Sequence, residues 1–134
     1  MTADAITASI RISATPDEVF PYLTDPELLT NWLGEWADTS PQPGGRFAID
    51  MGGVRVRGSY VLISPPHRLT FTWGVAEDTA LPEGSSTVEI YLTADGDETI
   101  VDLTHRDLPA AERPRHQQGW EMRLARLDGA AARS

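Results

Sequence analysis

One amphipathic segment near the C-terminus must cover almost everything else in this sequence. Pro114 is tolerated only in the first turn of a helix, so the pattern predicts a helix from Pro114 to about Asp128. Its apolar stripe consists of Trp120, Leu124 and Leu127. At about 1.5 Å per residue this helix is roughly 20 Å long. Most of the remaining chain alternates apolar and polar residues, so a single long helix must lie across a large sheet.

Six segments have the period of two that is typical of strands with one buried face. They are Ile6–Ile12, Arg46–Met51, Val54–Leu62, Leu69–Trp73, Thr87–Thr93 and Thr99–His105. Gly58 interrupts the inward side chains of the third segment and predicts a bulge, a bend or a close backbone approach that curves the sheet. Turn formers predict surface loops over residues 38–45 and 76–85.

Two short helices are predicted between the first two strands. Thr15 and Glu18 form a capping-box pattern for a helix that runs to about Thr24. Asp25-Pro26 then starts a second helix that ends at Gly34. The order of strand, two helices, five strands and one helix predicts an α+β fold with a mostly antiparallel sheet. The length of 134 residues predicts one domain spanning residues 1–134.

The composition excludes several classes of function. Acidic residues outnumber basic ones by 20 to 11, and the arginines are scattered, so we expect neither nucleic acid nor a membrane as a partner. The chain contains no cysteine and therefore no disulfide, thiolate metal site or cysteine nucleophile. Residues 1–5 lack the features of an export signal, and no apolar run reaches the ~20 residues of a membrane span. We therefore expect a cytoplasmic protein.

A set of short tags in a fixed order resembles the START/SRPBCC superfamily, and within it the branch named after homologues of the activator of the heat-shock protein 90 ATPase. The tags are Asp25-Pro26-Glu27-Leu28-Leu29 followed by Trp32, Pro43-Gly44-Gly45-Arg46-Phe47, Arg57-Gly58-Ser59-Tyr60, Pro65-Pro66-His67-Arg68-Leu69 with Phe71-Thr72-Trp73, Ser86-Thr87-Val88, Leu103-Thr104-His105-Arg106, and Gly119-Trp120. The resemblance implies a helix-grip fold, in which the C-terminal helix closes a hydrophobic cavity over a curved antiparallel sheet. Members of this superfamily differ in function, so the fold alone does not assign one.

Large inward-facing residues are the candidates for lining such a cavity. The candidates are Trp32, Trp36, Phe47, Met51, Tyr60, Phe71, Trp73, His105, Trp120 and Leu124. The same residues are also suited to fill the space as core, and periodicity does not distinguish the two outcomes. We interpret Trp32 as a core residue, and Trp36 as either a lid or a half-buried anchor of the loop. Gly119 next to Trp120 allows either a ligand or the sheet to approach the helix backbone closely.

His105 is the strongest polar candidate for a functional residue, because the alternation of the strand points it inward with Val101 and Leu103. It is either a ligand contact, or a buried histidine bonded to a backbone group. We predict no catalytic residue, metal ligand or cofactor. The histidines lie in separate elements without paired spacing, and Ser86 has no predicted base beside it.

Three functions remain open at this point. The first is a protein that binds an apolar or amphipathic small molecule between the last helix and the sheet. The second is a small enzyme resembling the superfamily's aromatase/cyclases, with His105 moving protons in the same cavity. The third is a co-chaperone-like interaction module that contacts a chaperone. A homodimer is compatible with all three. We expect the binding protein, and not an enzyme.

Overall fold

The computed structural model describes residues 5–133, so the predicted domain boundaries at residues 1 and 134 lie outside the described range. The strands are β1 (Ile6–Ile12), β2 (Trp36–Thr39), β3 (Arg46–Met51), β4 (Val54–Ser64), β5 (Arg68–Trp73), β6 (Ser86–Asp95) and β7 (Glu98–Arg106). The α-helices are α1 (Pro16–Val19), α2 (Pro26–Leu29) and α3 (Arg113–Ala131), and 3-10 helices lie at Phe20–Leu23 and Ala110–Glu112. The single domain stays a prediction.

The strands form one antiparallel sheet in the order β1-β7-β6-β5-β4-β3-β2. Strands β2 to β7 follow one another as a meander, and β1 returns beside β7. With α3 lying across this sheet, the predicted α+β helix-grip fold is confirmed.

The sheet has seven strands where the sequence predicts six. The additional strand is β2, which begins at Trp36 and includes Asp38 and Thr39, two residues that were expected in a loop. Trp36 pairs with Asp50 and Thr39 pairs with Phe47. Because these four residues lack apolar alternation, only their hydrogen bonding to β3 makes them a strand.

The two short helices begin as predicted but end earlier. Thr15 Oγ1 accepts from Glu18 N at 3.3 Å, and the Glu18 carboxylate accepts from Thr15 N at 2.8 Å, which completes the capping box. Helix α1 gives way to a 3-10 helix at Phe20, since Pro21 has no N–H to donate. Helix α2 ends at Leu29, five residues before the predicted end. The Thr30 hydroxyl donates to Glu27 O at 2.7 Å and tightens this end of the helix.

The sheet bends where β4 passes β5. A side chain on Gly58 would overlap the carbonyl oxygen of Thr72, which is the close backbone approach that the sequence predicts. A bulge follows between Tyr60 and Leu62. The bulge reverses the expected alternation: Ile63, and not Leu62, lies opposite the buried Leu69.

Helix α3 covers the sheet unevenly. Its stripe of Trp120, Leu124 and Leu127 is buried as predicted. Within the described chain, the strand that its backbone approaches most extensively is β1, where Gln117 Nε2 donates to Thr7 O at 2.8 Å. The inner face at the β3–β4 hairpin therefore stays partly uncovered, and Val54 is 41% exposed although it lies on that face. This uncovered end of the sheet positions the candidate site.

Residues 5–133 contain no helix that is both long and apolar enough to cross a membrane. In the same range, no three His, Cys, Asp or Glu side chains lie together in a way that could hold a metal ion.

Candidate functional site

Aromatic rings fill the centre of the inner face. Phe47 stacks on Phe71 with ring centroids 4.1 Å apart, and Tyr60 contacts Phe47 edge-on at 5.6 Å. Trp73 extends the cluster to Trp120, at 5.0 Å. Each of these five residues is at most 3% exposed. The inward aromatic residues therefore pack mainly on one another and fill the centre of the inner face.

His105 is buried in a chain of side-chain hydrogen bonds next to this cluster. The Trp120 indole N–H donates to His105 Nδ1 at 2.9 Å, so Nδ1 carries no proton. His105 Nε2–H then donates to Ser86 Oγ at 2.8 Å, and the Ser86 hydroxyl donates to Trp73 O at 2.7 Å. The partners of the histidine are side chains, and not the backbone group that the sequence suggests.

The expectation that Ser86 has no base beside it was wrong, because β6 and β7 pair with each other and bring Ser86 next to His105. The hydrogen bonds nevertheless run in the wrong direction for a nucleophile. The serine proton is held by a backbone carbonyl, and the histidine nitrogen facing it is itself a donor. Burial, with a smaller effect of His116, lowers the pKa of His105 to about 3, so the imidazole is neutral. The Ser86–His105 pair is therefore part of the core packing.

A cleft of about 530 Å³ opens between α3 and the uncovered inner face. One wall of the cleft comes from the β3–β4 hairpin and the end of β5, and the opposite wall is α3. The lining residues are Met51, Val54, Val56, Trp73, Val75, Asp78, Glu112, Arg115, His116, Gln118, Gly119, Met122 and Arg123. The volume lies within the range of pockets for small organic molecules.

A second cleft of about 600 Å³ adjoins the first around the turn after α2. It is lined by Thr30, Asn31, Trp32, Leu33, Gly34, Glu35, Met51, Gly52, Met122, Arg123 and Arg126. Met51, Met122 and Arg123 line both clefts and mark their junction.

Arg123 is the charged group at this junction. Its Nε is buried without a hydrogen-bond partner, and no carboxylate in the described residues forms an ion pair with it. The guanidinium lies against Gly119, one helical turn earlier, in the space that a side chain at that position would occupy. The missing side chain of Gly119 therefore leaves room for the Arg123 head group in the wall of the cleft. Burial, followed by the nearby Arg126, lowers the pKa of Arg123.

Trp73, which lines the cleft, carries a second unsatisfied donor. Its ring lies in the aromatic cluster and is 3% exposed, yet its indole N–H has no hydrogen-bond partner in the described part of the chain. A buried N–H without a partner costs about 1–3 kcal/mol. Trp73 is thus a core residue at the edge of the cleft whose one polar atom has no partner among the described residues.

The acidic groups of the first cleft lie beside Arg115 and not beside Arg123. The Glu112 carboxylate forms an ion pair with Arg115, and Asp78 also stabilises the charge of Arg115. The His116 ring donates from Nδ1 to Glu112 O at 2.9 Å, and burial lowers its pKa. The cleft therefore has a neutralised end at Arg115 and a positive end at Arg123.

The predicted candidates fall into three groups. Met51, Trp73 and Trp32 line a cleft. Phe47, Tyr60, Phe71, His105, Trp120 and Leu124 are buried in the core and line neither cleft. Trp36 lies on the outer face of β2, 46% exposed, with the Arg57 guanidinium 5.5 Å from its ring centroid. Trp36 does not form the suggested lid over the cleft. It pairs with Asp50, and both residues lie on the face of the sheet opposite to the helix, where Asp50 forms an ion pair with Arg57.

Sequence reasoning raised Gly119 as a place where a ligand approaches the helix, but it missed the charged residues of the α3 wall. His116, Gly119, Arg123 and Arg126 recur at intervals of three and four residues, which places them on one helical stripe beside that of Trp120. A glycine in the middle of a polar stripe was the available signal.

Solved structures of several bacterial proteins share this fold. The AHSA1-like protein RHE_CH02687 from Rhizobium etli is 38% identical, with a TM-score of 0.75 over 96% of this chain and 81% of that one. Protein MLL2253 from Mesorhizobium loti is 24% identical, with a TM-score of 0.83 over 94% and 95% of the two chains. The Aha1 dimer from Colwellia psychrerythraea is 16% identical, with a TM-score of 0.83 over 95% of each chain.

No curated protein matches the sequence. The predicted family is nevertheless confirmed, because the family model described as activator of Hsp90 ATPase homolog 1-like protein matches residues 13–132. The chain belongs to this family.

Proposed function

We propose that the protein binds an amphipathic small molecule in the cleft between α3 and the β3–β4 hairpin. The observation that carries the proposal is a mainly apolar cleft of about 530 Å³ that is lined by Trp73, whose indole N–H has no partner among the described residues. Apolar side chains from both sides, including Met51 and Met122, would cover a ligand. Apolar surroundings with a few convergent polar groups are typical of small-molecule sites.

The other two functions have less support. An aromatase/cyclase-like reaction at His105 requires an imidazole that reaches the substrate, but both of its nitrogens are bonded inside the core. The family name suggests contact with a chaperone, yet no surface feature of the described residues favours that contact. Both stay predictions, as does the cytoplasmic location.

A homodimer of this chain also stays a proposal. Aha1 from Colwellia psychrerythraea is described as a dimer, but at 16% identity the likeness concerns the fold alone. Sedimentation equilibrium of the full chain tests it: a mass near 14.7 kDa at micromolar concentration would contradict a stable dimer.

The binding function is tested with the neutral apolar fluorophore N-phenyl-1-naphthylamine. We expect a saturable rise in fluorescence with about one site per chain. Met122→Glu places a charge in the cleft wall and should weaken binding by about tenfold, since burying apolar surface on a methionine is worth more than 1 kcal/mol. Val61→Glu is the matched control, because Val61 is equally exposed, 52% against 47% for Met122, and lines neither cleft.

The proposal predicts that Val61→Glu leaves the dissociation constant unchanged. It is contradicted if the wild-type protein shows no saturable binding, or if both substitutions weaken binding equally.

A further inference from the structure

We infer that the ligand of this cleft is an organic anion: an apolar body on Trp73 and Met122, with one anionic group paired to Arg123. This inference rests on the proposed function and adds the charge of the ligand.

The first argument is that Arg123 is charged and has no counterion among residues 5–133. A guanidinium stays protonated in proteins, so its partial burial without a carboxylate carries a desolvation cost that no described residue offsets. Other arginines of the described chain form eleven ion pairs with carboxylates. Acidic residues also outnumber basic ones in the sequence. An arginine left unpaired in so acidic a chain points to a partner from outside.

The second argument is the arrangement of the cationic groups. Arg126 lines the adjoining cleft, three residues after Arg123, and no described carboxylate forms an ion pair with it either. The carboxylate in that lining is Glu35, whose Oε1 accepts from Gly52 N at 2.6 Å. The two arginines therefore make the junction of the clefts positive, which favours an anionic group there.

The third argument is the room given to the guanidinium. Because Gly119 has no side chain, the Arg123 head group lies along the helix surface within the cleft wall. A planar guanidinium held in this way presents its N–H fork to a carboxylate or sulfonate. Trp73, whose N–H has no partner in the described residues, lines the apolar side of the same cleft.

The test compares two fluorophores that differ by one anionic group. 1-Anilinonaphthalene-8-sulfonate is N-phenyl-1-naphthylamine with one sulfonate added. We expect the wild-type protein to bind the anionic probe about tenfold more tightly, since a hydrogen bond to a charged group is worth more than 1 kcal/mol. Arg123→Gln should abolish this preference, so that both probes bind about equally. Arg55→Gln, on the outer face of β4 and paired with Glu77, removes the same charge and should preserve the preference.

Salt provides a second measurement that needs no variant. Raising the ionic strength from about 0.05 M to 0.5 M should weaken the anionic probe and leave the neutral one unchanged. Equal affinities for both probes, with no effect of Arg123→Gln or salt, would overturn the anion inference and leave the proposed function standing. If neither probe binds, both fail.

Discussion

His105 is the polar side chain on which the core around the cleft depends. Both of its ring nitrogens are bonded, to Trp120 and to Ser86, and this fixes one neutral tautomer. The sequence predicts the inward direction from the alternation along β7. It does not predict the partners, because Ser86 and Trp120 are 19 and 15 residues away and meet the histidine only through strand pairing and helix packing.

The neutral state of His105 makes stability depend on pH. The folded protein holds its pKa near 3 through burial, whereas in the unfolded chain it returns to about 6.5. Between these values the unfolded state binds more protons, so the stabilisation is complete above pH 6.5 and is lost as the pH falls. From pH 6.5 to 5 we expect a loss of about 1.5 kcal/mol of unfolding free energy from this residue.

Urea denaturation at several pH values measures this loss, in a range where most carboxylates do not titrate. Partly buried His116, whose pKa is also lowered, contributes in the same direction. His105→Gln is the control and should have a shallower dependence on pH. The same slope in the variant and the wild-type protein would contradict a buried, neutral His105.

Two glycines in different elements show how the neighbouring atoms decide the effect of a side chain. At Gly58 in β4, an added methyl group would meet the backbone carbonyl of Thr72. At Gly119 in α3, it would meet only the end of the Arg123 side chain. The first neighbour is held in a sheet, whereas the second is able to rotate away.

We therefore predict opposite effects of the two alanine substitutions on stability. Gly58→Ala should lower the unfolding free energy by about 1–3 kcal/mol, because the strands must separate. Gly119→Ala should leave it unchanged or raise it by up to ~1 kcal/mol, since alanine is the better helix former. Urea denaturation of both variants measures the difference. A larger loss for Gly119→Ala than for Gly58→Ala would show that this account of the two sites is wrong.

Elements were predictable where their own residues determine them. Strands β3 to β7 have alternating patterns, and the capping box starts α1 without help from the rest of the fold. Strand β2 was missed because its four residues are ordered by β3. Helix α2 was predicted too long because a threonine hydroxyl competes for its backbone at the end.

The cleft is a property of the whole molecule. Helix α3 packs along β1, which lies at one edge of the sheet, whereas the β3–β4 hairpin lies towards the other edge. The apolar inner face of the β3–β4 hairpin is thereby left open opposite Arg123. No local sequence pattern shows which part of the inner face the helix leaves uncovered. The sequence therefore predicts a space under the helix, but most of the residues predicted to line it lie in the buried core.

The four tryptophans allow a direct test of the central claim that a small molecule binds in this cleft. Trp32 and Trp120 donate their indole N–H groups to Tyr22 O and His105, and Trp36 lies on the outer face. Trp73 lines the cleft with its N–H unpartnered. Each indole N–H gives a separate signal in a ¹H–¹⁵N correlation spectrum during a titration with N-phenyl-1-naphthylamine. We predict that the Trp73 signal moves furthest and saturates, whereas a saturable shift of Trp36 with Trp73 unmoved would contradict the claim.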